Sequence, residues 1–410
     1  MRISHLAYIL VIAALCGMGV LFLYSTGYLG PEYAVRSNYL RQCLFIGLGA
    51  SVACGIVALS PGRSAWRALV FGGYGVSLLL LLLVLVFGKS IGGARRWLSV
   101  GAFLLQPAEF ARVFTIAAGA LLLDGRTLPR RWEAIGGAIC FIVPMALILL
   151  EPSYGNAASL AVPMAVIFGM RYLPRPVWTL AMALGVAMMI CAGAAVWHLR
   201  TQPPAERGMF IGTKAESSFF RGYHLRRLDS FLSPEGGWNE QQSLMAVSGG
   251  GLTGKGYLNG TMKNLGFLPR TVAPTDFIFA VVAEEGGLLF GVLPLMLLYW
   301  MLFAILATWA SRAQDRLALN MIAGGMALLF THVVVGVGMA VRLLPIIGLP
   351  LPLLSYGGSF TLSVFILLGA MASVECHRTD RYADKSAQEE DTGSRVLRVG
   401  HLLKIHLHRK

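Results

Sequence analysis

Long runs of apolar residues recur along this sequence, and they constrain its fold more than any other feature. A helix that crosses the hydrocarbon core of a bilayer needs about 20 consecutive, mainly apolar residues. The candidate spans lie at 6–26, 38–60, 66–87, 101–123, 132–150, 156–170, 177–197, 276–307, 317–341 and 356–375. The sequence therefore predicts an all-α, polytopic integral membrane protein with about ten transmembrane helices.

The composition excludes several other classes of protein. Of the 410 residues, 56% are hydrophobic and 13% are charged, whereas a soluble globular protein has about 25% charged residues. A soluble enzyme and a disordered protein are therefore excluded. The six cysteines show no CxxC spacing, so neither a disulfide framework nor a zinc site is indicated. The net charge of +14 suits basic loops beside anionic lipid headgroups, and we expect no nucleic-acid partner.

The distribution of basic residues predicts the orientation in the membrane. An even number of spans places both termini on one side, and the short loops on that side are richer in Lys and Arg. Both termini are therefore expected in the cytoplasm. Residues 1–375 would form the membrane domain, with a large external loop at about 198–275 between spans 7 and 8. Residues 376–410 are polar and mixed in charge, which predicts a flexible cytoplasmic tail.

Ionisable residues inside the spans are few, and each is a candidate functional residue because burying it in a bilayer is costly. Glu109 and Arg112 are three positions apart, so they share one face of the fourth span. The pair indicates either a structural ion pair or a polar cavity between helices. We interpret His332, in the ninth span, as a packing residue rather than a ligand.

The eighth span begins with Asp276 and carries two adjacent glutamates, Glu284 and Glu285. Adjacent residues on a helix cannot both face the interior of the bundle. At least one glutamate is therefore expected near a helix end, a cavity or a partner. Asp276 also suits the N-cap of the helix.

Two loops contain groups that suit an anion or a ligand. Arg95 and Arg96 adjoin Trp97 after the third span; arginine forks bind phosphate oxygens and tryptophan prefers the membrane interface. Taken alone, this feature favours an ordinary interfacial anchor over a phosphate site. The Gly-rich segment around Lys255 lacks the P-loop spacing, so we exclude an ATPase. A tight turn or a close backbone approach to a ligand remains as its explanation.

Proline and glycine interrupt the helical pattern at 348–358, and Gln106-Pro107 interrupts it at the fourth span. Irregular backbone at membrane depth survives only where it is buried in protein or lines a wet cavity. Together with the arginine pair and Asp276, these interruptions predict a site near the outer leaflet. From the residues alone, an enzyme and a transporter fit equally well.

Motifs along residues 36–375 resemble the SEDS family (RodA, FtsW and relatives), the ten-span polymerases of bacterial peptidoglycan, and are closer to the RodA branch. The motifs occur in the same order along the chain as in the family, and it is the combination, not any single motif, that is specific to the family. The motifs are Gly93–Trp97 (GA-x-RW), Gln106–Glu109 (QPSE), Glu151–Asn156 (QPDLGT), Gln242–Gly250 (QS…GSGG), Phe267–Gly286 (FLPE…TDFIFAV-x-AEE-x-G) and Gly338–Ser359 (ending in SYGGS).

The chain departs from this pattern at several positions. The departing residues are Ala108, Arg112, Ser153, Arg270, Pro274, Gly336, Arg342 and Phe360. An insertion precedes Asp276, so the loop around it is expected to be reshaped. The aspartate itself is retained, which argues against an inactive relative.

The resemblance implies a peptidoglycan glycosyltransferase that polymerises lipid II at the outer face of the cytoplasmic membrane, for cell elongation and shape or for division. Lipid II is a disaccharide-peptide on a polyprenyl diphosphate. The resemblance assigns Asp276 as the catalytic carboxylate that accepts the proton of the attacking hydroxyl, a role worth roughly 10²–10⁴-fold. A divalent metal, Mg²⁺ or Mn²⁺, is a candidate cofactor that Asp276 would help to bind.

The resemblance also implies a set of substrate-binding residues. Cations are needed to stabilise the departing diphosphate, and polar groups within the spans would shape a cavity for the lipid. The expected residues are Arg95, Arg96, Arg227 and Lys255 for the diphosphate, with Glu109, Arg112 and Ser355 as further members of the set.

A class B penicillin-binding protein is the partner that the resemblance implies, together with other membrane proteins of the elongasome or divisome. Two alternatives remain open. A flippase that moves lipid II needs charged groups accessible from both faces, whereas most motifs here fall on the external side. A non-catalytic scaffold of the cell-wall complex would explain the departures from the motifs.

Overall fold

The computed structural model describes residues 3–28, 38–59, 63–91, 94–101, 103–174, 176–178 and 237–376, with the single positions 180, 185 and 231. Arg227, most of the predicted seventh span and the predicted tail beyond residue 376 lie outside these residues. The helices are α1 Ile3–Gly27, α2 Asn38–Leu59, α3 Arg63–Phe87, α4 Pro107–Leu122, α5 Arg130–Leu150, α6 Tyr154–Tyr172, α7 Trp238–Gly250, α8 Thr261–Asn264, α9 Ile278–Gly286, α10 Leu293–Arg312, α11 Arg316–Ala340 and α12 Gly358–Cys376. The strands are β1 Lys89–Ile91, β2 Ala94–Val100 and β3 Phe103–Leu105.

The predicted helical membrane fold is confirmed. Seven helices among the described residues are long and apolar enough to cross a membrane; they are α1, α2, α3, α5, α11, α12 and the continuous helix Ile278–Arg312. That last helix joins α9 to α10 through a π-helical turn, Gly287–Val292. Within their most apolar windows, α11 and α12 are 67% and 72% buried, but α2 is only 11% buried. Among these seven helices, α11 and α12 therefore lie deepest in the bundle. The total of ten spans stays a prediction.

The first and last helices meet at one end of the bundle, which we call the distal end. There, Cys376 Sγ lies 3.9 Å from His5 Nε2. At the opposite end, which we call the site end, Lys263 Nζ donates a hydrogen bond to Ser25 O near the end of α1 (2.7 Å). The start of α1 and the end of α12 thus share one end, as an even number of crossings requires.

A small antiparallel sheet at the site end adds three short strands, which the sequence did not predict, to the helical fold. Its strand order is β1–β2–β3, with Lys89 opposite Trp97 and Leu98 opposite Leu105. Of the three strands, β3 occupies the start of the span predicted at 101–123, and α4 begins after it, at Pro107. A helix starts readily at this residue because proline has a helical φ and needs no N–H partner in the first turn.

The Gly-rich segment after α7 packs backbone against backbone. A Cβ on Gly250 would overlap with Ala283 O of α9. Beyond it, Lys255 N donates to Glu284 O (2.9 Å) and Leu288 N donates to Gly251 O (3.0 Å). The glycines therefore allow the backbone of this segment to pack closely against α9 and the π-helical turn.

We expect Gly250→Ala to destabilise the protein, because its methyl group would meet backbone atoms that cannot rotate away. Overpacking of this kind typically costs about 1–3 kcal/mol. Gly249→Ala is the matched control, since its Cβ would meet the flexible end of Lys255, 3.2 Å from Nζ. Thermal unfolding of the purified protein in detergent measures both variants. Equal unfolding midpoints would contradict the close packing of this segment.

Candidate active site

Asp276 lies in the turn that precedes α9, at the site end. Its N–H donates to Val272 O (3.0 Å), and the residue is partly exposed. Gly348 faces it: a Cβ on this glycine would lie 3.9 Å from Asp276 Oδ2. The φ of Gly348 is +75°, a conformation that glycine adopts without strain. The carboxylate of Asp276 therefore lies beside the irregular segment 348–357.

Ser355 fastens that segment to the turn that carries Asp276. Its hydroxyl donates to Thr275 O (2.7 Å) and accepts from Leu351 N (2.9 Å). One residue on, Tyr356 N donates to Pro274 O (2.8 Å). Ser355 is 1% exposed. Its hydroxyl thus positions the backbone on both sides of the candidate site, and we assign it a positioning role.

Gln42 of α2 contributes a second attachment that the sequence analysis missed. Its amide nitrogen donates to Ser355 O (3.2 Å) and Thr361 Oγ1 (2.9 Å), and its amide oxygen accepts from Gly357 N (3.3 Å). The side chain is 1% exposed. A glutamine inside an apolar run was the available signal, because a buried amide needs partners within the protein.

Glu109 and Arg112 form a buried ion pair inside the bundle. Both side chains are at most 3% exposed. The guanidinium also donates to Ser159 Oγ (3.1 Å) and lies 2.7 Å, Nη1 to Nε2, from His332. Of the two interpretations of this pair, the structure favours the structural ion pair, because its contacts are to protein groups.

His332 continues this network to the irregular segment. Because arginine has no acceptor, His332 Nε2 must accept from Arg112, and Nδ1 then carries the proton that it donates to Pro350 O (2.9 Å). The ring also stacks on Phe360, with centroids 5.1 Å apart. His332 is a packing residue, as predicted, and it also links the ion pair to the segment that faces Asp276.

The two arginines of β2 are separated by the strand. Successive side chains of a strand point to opposite faces of its sheet; Arg95 is exposed and Arg96 is partly buried. The charge of Arg96 acts on Glu151, a fully buried carboxyl that follows α5. Burial raises the pKa of Glu151 to about 8, and Arg96 opposes this rise. The sequence analysis quoted Glu151 within a motif but gave it no role.

The two buried glutamates of α9 each pair with a lysine, and the partly exposed Lys255 is one of them. Its Nζ lies 2.7 Å from Glu284 Oε1, and Lys263 Nζ lies 2.7 Å from Glu285 Oε1. The glutamates occupy the last turn of α9 and face different partners, as their adjacency requires. The structure thus gives Lys255 an intramolecular partner. Its contact with a diphosphate stays a prediction, as does that of Arg227.

The described residues do not fit a resident metal site. They contain no group of three or more His, Cys, Asp and Glu side chains that could hold a metal ion. Protein-bound Mg²⁺ commonly combines one or two carboxylates with substrate phosphates. Asp276 would supply one such carboxylate, and metal dependence stays a prediction.

These features define a polytopic membrane protein whose interrupted helices and buried polar groups meet at one end of the bundle. The model of the FtsW, RodA and SpoVE family, described as cell cycle proteins, matches residues 6–380. The chain belongs to this family, and the resemblance in its motifs is confirmed.

The most similar relatives include peptidoglycan glycosyltransferases. RodA of Treponema pallidum (strain Nichols) is 27% identical over 92% of this chain and 99% of its own length. MrdB of Escherichia coli (strain K12) is 34% identical over 90% of this chain and 93% of its own length. Both relatives are matched over nearly their full length.

Solved structures share the fold. A chain from a peptidoglycan synthase complex that coordinates polymerization and crosslinking matches with a TM-score of 0.65 and 29% identity, covering 90% of this chain and 97% of that chain. The rod shape determining protein RodA of Thermus thermophilus matches with a TM-score of 0.61 and 27% identity, covering 90% and 96%.

We expect His332→Phe to lower both stability and activity. The substitution keeps a ring beside Phe360 but leaves Arg112 Nη1 and Pro350 O without their histidine partner, and a buried unsatisfied group costs about 1–3 kcal/mol. Thr331→Val is the control, because the Thr331 hydroxyl bonds only within its own helix, to Ala327 O. Thermal unfolding and a glycan-synthesis assay test both variants. If His332→Phe is as stable as wild type, the contacts of His332 with Arg112 and Pro350 O do not contribute to the stability of the protein.

We expect Ser355→Ala to reduce the rate of synthesis at saturating substrate, since it releases Thr275 O beside Asp276. Ser363→Ala is matched in burial, and the Ser363 hydroxyl bonds only to Phe360 O of its own helix (2.8 Å). A small loss of stability, about 1 kcal/mol, is expected for each hydrogen bond removed. Equal rates for the two variants would argue against a positioning role for Ser355.

Proposed function

We propose that this chain is a peptidoglycan glycosyltransferase that polymerises lipid II into glycan strands, with Asp276 as the catalytic carboxylate. The activity rests on the relatives of the same family, which are named for it. The observation that carries the assignment of the site is the placement of Asp276: a partly exposed carboxylate on a turn that Ser355 fastens to the segment 348–357.

The proposed reaction transfers a glycan from one lipid diphosphate to a sugar hydroxyl. The acceptor 4-hydroxyl oxygen forms a bond to the anomeric carbon of the donor. The bond between that carbon and the phosphate oxygen breaks, and the polyprenyl diphosphate leaves with the electron pair. Asp276 accepts the hydroxyl proton.

Cations must stabilise the diphosphate as it leaves. Arg96 is our first candidate, because it is partly buried at the site end, and the exposed Arg95 is the second. Lys255 would have to exchange Glu284 for phosphate, which makes it a weaker candidate. Since the described residues do not fit a resident metal site, we route no step through a metal.

The proposal includes a location and partners. We place the chain in the bacterial cytoplasmic membrane with both termini inside, which the meeting of α1 and α12 at one end supports. The site end would then face outward, where lipid II is consumed. The similarity to a chain of a peptidoglycan synthase complex supports a class B penicillin-binding protein as the partner, within the elongasome or the divisome.

We expect Asp276→Asn to abolish glycan synthesis while the protein remains folded. The amide cannot accept the proton, so a loss of roughly 10²–10⁴-fold is expected. Asp124→Asn is the control: this aspartate caps the turn after α4 through Arg126 N and Thr127 N, and asparagine keeps that acceptor.

The assay uses purified protein in detergent, labelled lipid II and Mg²⁺ or Mn²⁺, with and without the cognate penicillin-binding protein. Full synthesis by Asp276→Asn would remove the catalytic role from this carboxylate. No synthesis by wild type, together with movement of lipid II across liposome bilayers, would identify a flippase instead. If wild type neither synthesises glycan nor moves lipid II, the remaining hypothesis is a non-catalytic scaffold of the cell-wall complex.

A further inference from the structure

The turn 123–129 between α4 and α5 presents exposed arginines at the distal end. α4 starts beside the sheet at the site end and has 16 residues, so it carries the chain about 24 Å toward the opposite end. Arg126 lies in this turn, and Arg130 and Arg131 are the first two residues of α5. All three are exposed. Within the described part of the chain, none of their guanidinium groups forms an ion pair.

The two acidic residues beside these arginines are buried and have partners of their own. Asp124 is 3% exposed and accepts hydrogen bonds from Arg126 N (2.7 Å) and Thr127 N (3.0 Å). Glu133 is fully buried, and its two oxygens accept from Nε and Nη2 of Arg171 in α6, both at 2.6 Å. The charge that this turn exposes is therefore positive.

Neighbouring helices hold the turn in place. Arg67 of α3 donates from Nη2 to Thr127 Oγ1 (3.1 Å), and the Thr127 hydroxyl donates to Asp124 Oδ1 (3.2 Å). The pair of Arg171 with Glu133 ties the end of α6 to the first turn of α5. The backbone that carries the exposed arginines is thus fixed by contacts with α3 and α6. A fixed backbone lowers the entropy that is lost when a ligand binds.

Aromatic side chains flank the arginines where α5 enters the membrane. α5 is a candidate membrane span that begins at Arg130. Trp132 is 51% exposed, and the guanidinium carbon of Arg131 lies 6.0 Å from the centroid of its ring. Tyr172, at the end of α6, is exposed, and the guanidinium carbon of Arg171 lies 5.6 Å from its ring. Because tryptophan and tyrosine prefer the headgroup layer, these arginines lie at the depth of lipid phosphates.

An exposed apolar stripe of α5 continues from Trp132 toward the middle of the membrane. Ile135, Ile139 and Ile142 are each at least half exposed, and their spacing places them on one face of the helix together with Trp132. Arginine forks bind phosphate oxygens through pairs of hydrogen bonds. A soluble anion would use the arginines alone, whereas a phospholipid would use both the arginines and the stripe.

We propose that the surface formed by Arg126, Arg130, Arg131 and Trp132, which we call the basic surface, binds the headgroup of an anionic phospholipid. The guanidinium groups bind the phosphate, and the acyl chains lie along the isoleucine stripe of α5. This inference goes beyond the glycosyltransferase activity and does not depend on it, because the basic surface lies at the opposite end of the bundle from Asp276.

Arg312 and Arg316 provide a matched control. They flank the turn between α10 and α11, and both are exposed. This turn also lies at the distal end, because the ring of Trp309 in α10 lies 5.3 Å from that of His5. Trp309 is 1% exposed, and Asp315 precedes Arg316. The control turn thus has exposed arginines at the same end of the bundle, but its tryptophan is buried.

The experiment measures binding of phosphatidylglycerol to the purified full chain in detergent by native mass spectrometry. Each basic residue near an anionic lipid surface contributes a factor of about five to affinity. The double variant Arg130→Gln/Arg131→Gln should therefore raise the Kd about 30-fold. Arg126→Gln should raise it about fivefold, and it keeps the backbone N–H that Asp124 binds. The control variant Arg312→Gln/Arg316→Gln removes the same charge and should leave the Kd at the wild-type value.

Two further ligands identify what is recognised. Phosphatidylcholine has acyl chains but no net charge and should bind wild type more weakly than phosphatidylglycerol does. Inorganic phosphate has the charge but no chains and should not displace the bound phosphatidylglycerol. Unfolding midpoints without lipid should be the same for all variants, because the substituted side chains are exposed.

Four results would overturn the inference. An unchanged Kd in Arg130→Gln/Arg131→Gln would show that the basic surface does not bind the lipid. An equal rise in the control variant would show that only the net charge of this end matters. Phosphatidylcholine that binds as tightly as phosphatidylglycerol would remove the role of charge. Displacement of the lipid by inorganic phosphate would identify a site for a soluble anion instead.

Discussion

The structure depends on one constraint: the segment 348–357 is not helical, and its backbone polar groups must find partners inside the protein. Such groups cost several kcal/mol each when they face hydrocarbon. Helices that are distant in sequence supply the partners. The Tyr299 hydroxyl of α10 donates to Pro352 O (2.6 Å), His332 of α11 donates to Pro350 O, and Gln42 of α2 binds both Ser355 O and Gly357 N. The same segment then holds the turn that carries Asp276.

The buried ion pair of α4 extends this arrangement through the bundle. A buried pair is costly to form and far more costly to break, since loss of one partner leaves an uncompensated charge. Here the cation is an arginine, whose planar fork reaches Glu109, Ser159 and His332 together. A lysine at this position would carry a compact ammonium with fewer donors. Arg112 and His332 thus act as a matched pair that connects the core to the segment facing Asp276.

Much of the fold followed from local sequence. Apolar runs long enough to cross a bilayer must become helices, because only a helix satisfies its own backbone in hydrocarbon. Pro107 marks the start of α4, but the predicted span began earlier, at residue 101, because the sequence analysis did not foresee the strands before it. Those strands were not predicted, because β1 and β3 have three residues each and form only by pairing with β2. The glycines after α7 indicated a close approach, but their partner, α9, could not be inferred from local sequence.

By itself, the sequence determined the class of protein, the family and the candidate carboxylate, since span length, motif order and the retained Asp276 are all legible along the chain. Only the tertiary structure decided which side chains act together. It buried Glu151 where the charge of Arg96 acts on it, separated Arg95 from Arg96 and turned Ser355 onto backbone atoms. The physical reason is that burial and hydrogen bonding depend on neighbours from remote parts of the chain. A carboxyl such as Glu151 is an ordinary helix-end residue until packing removes its water.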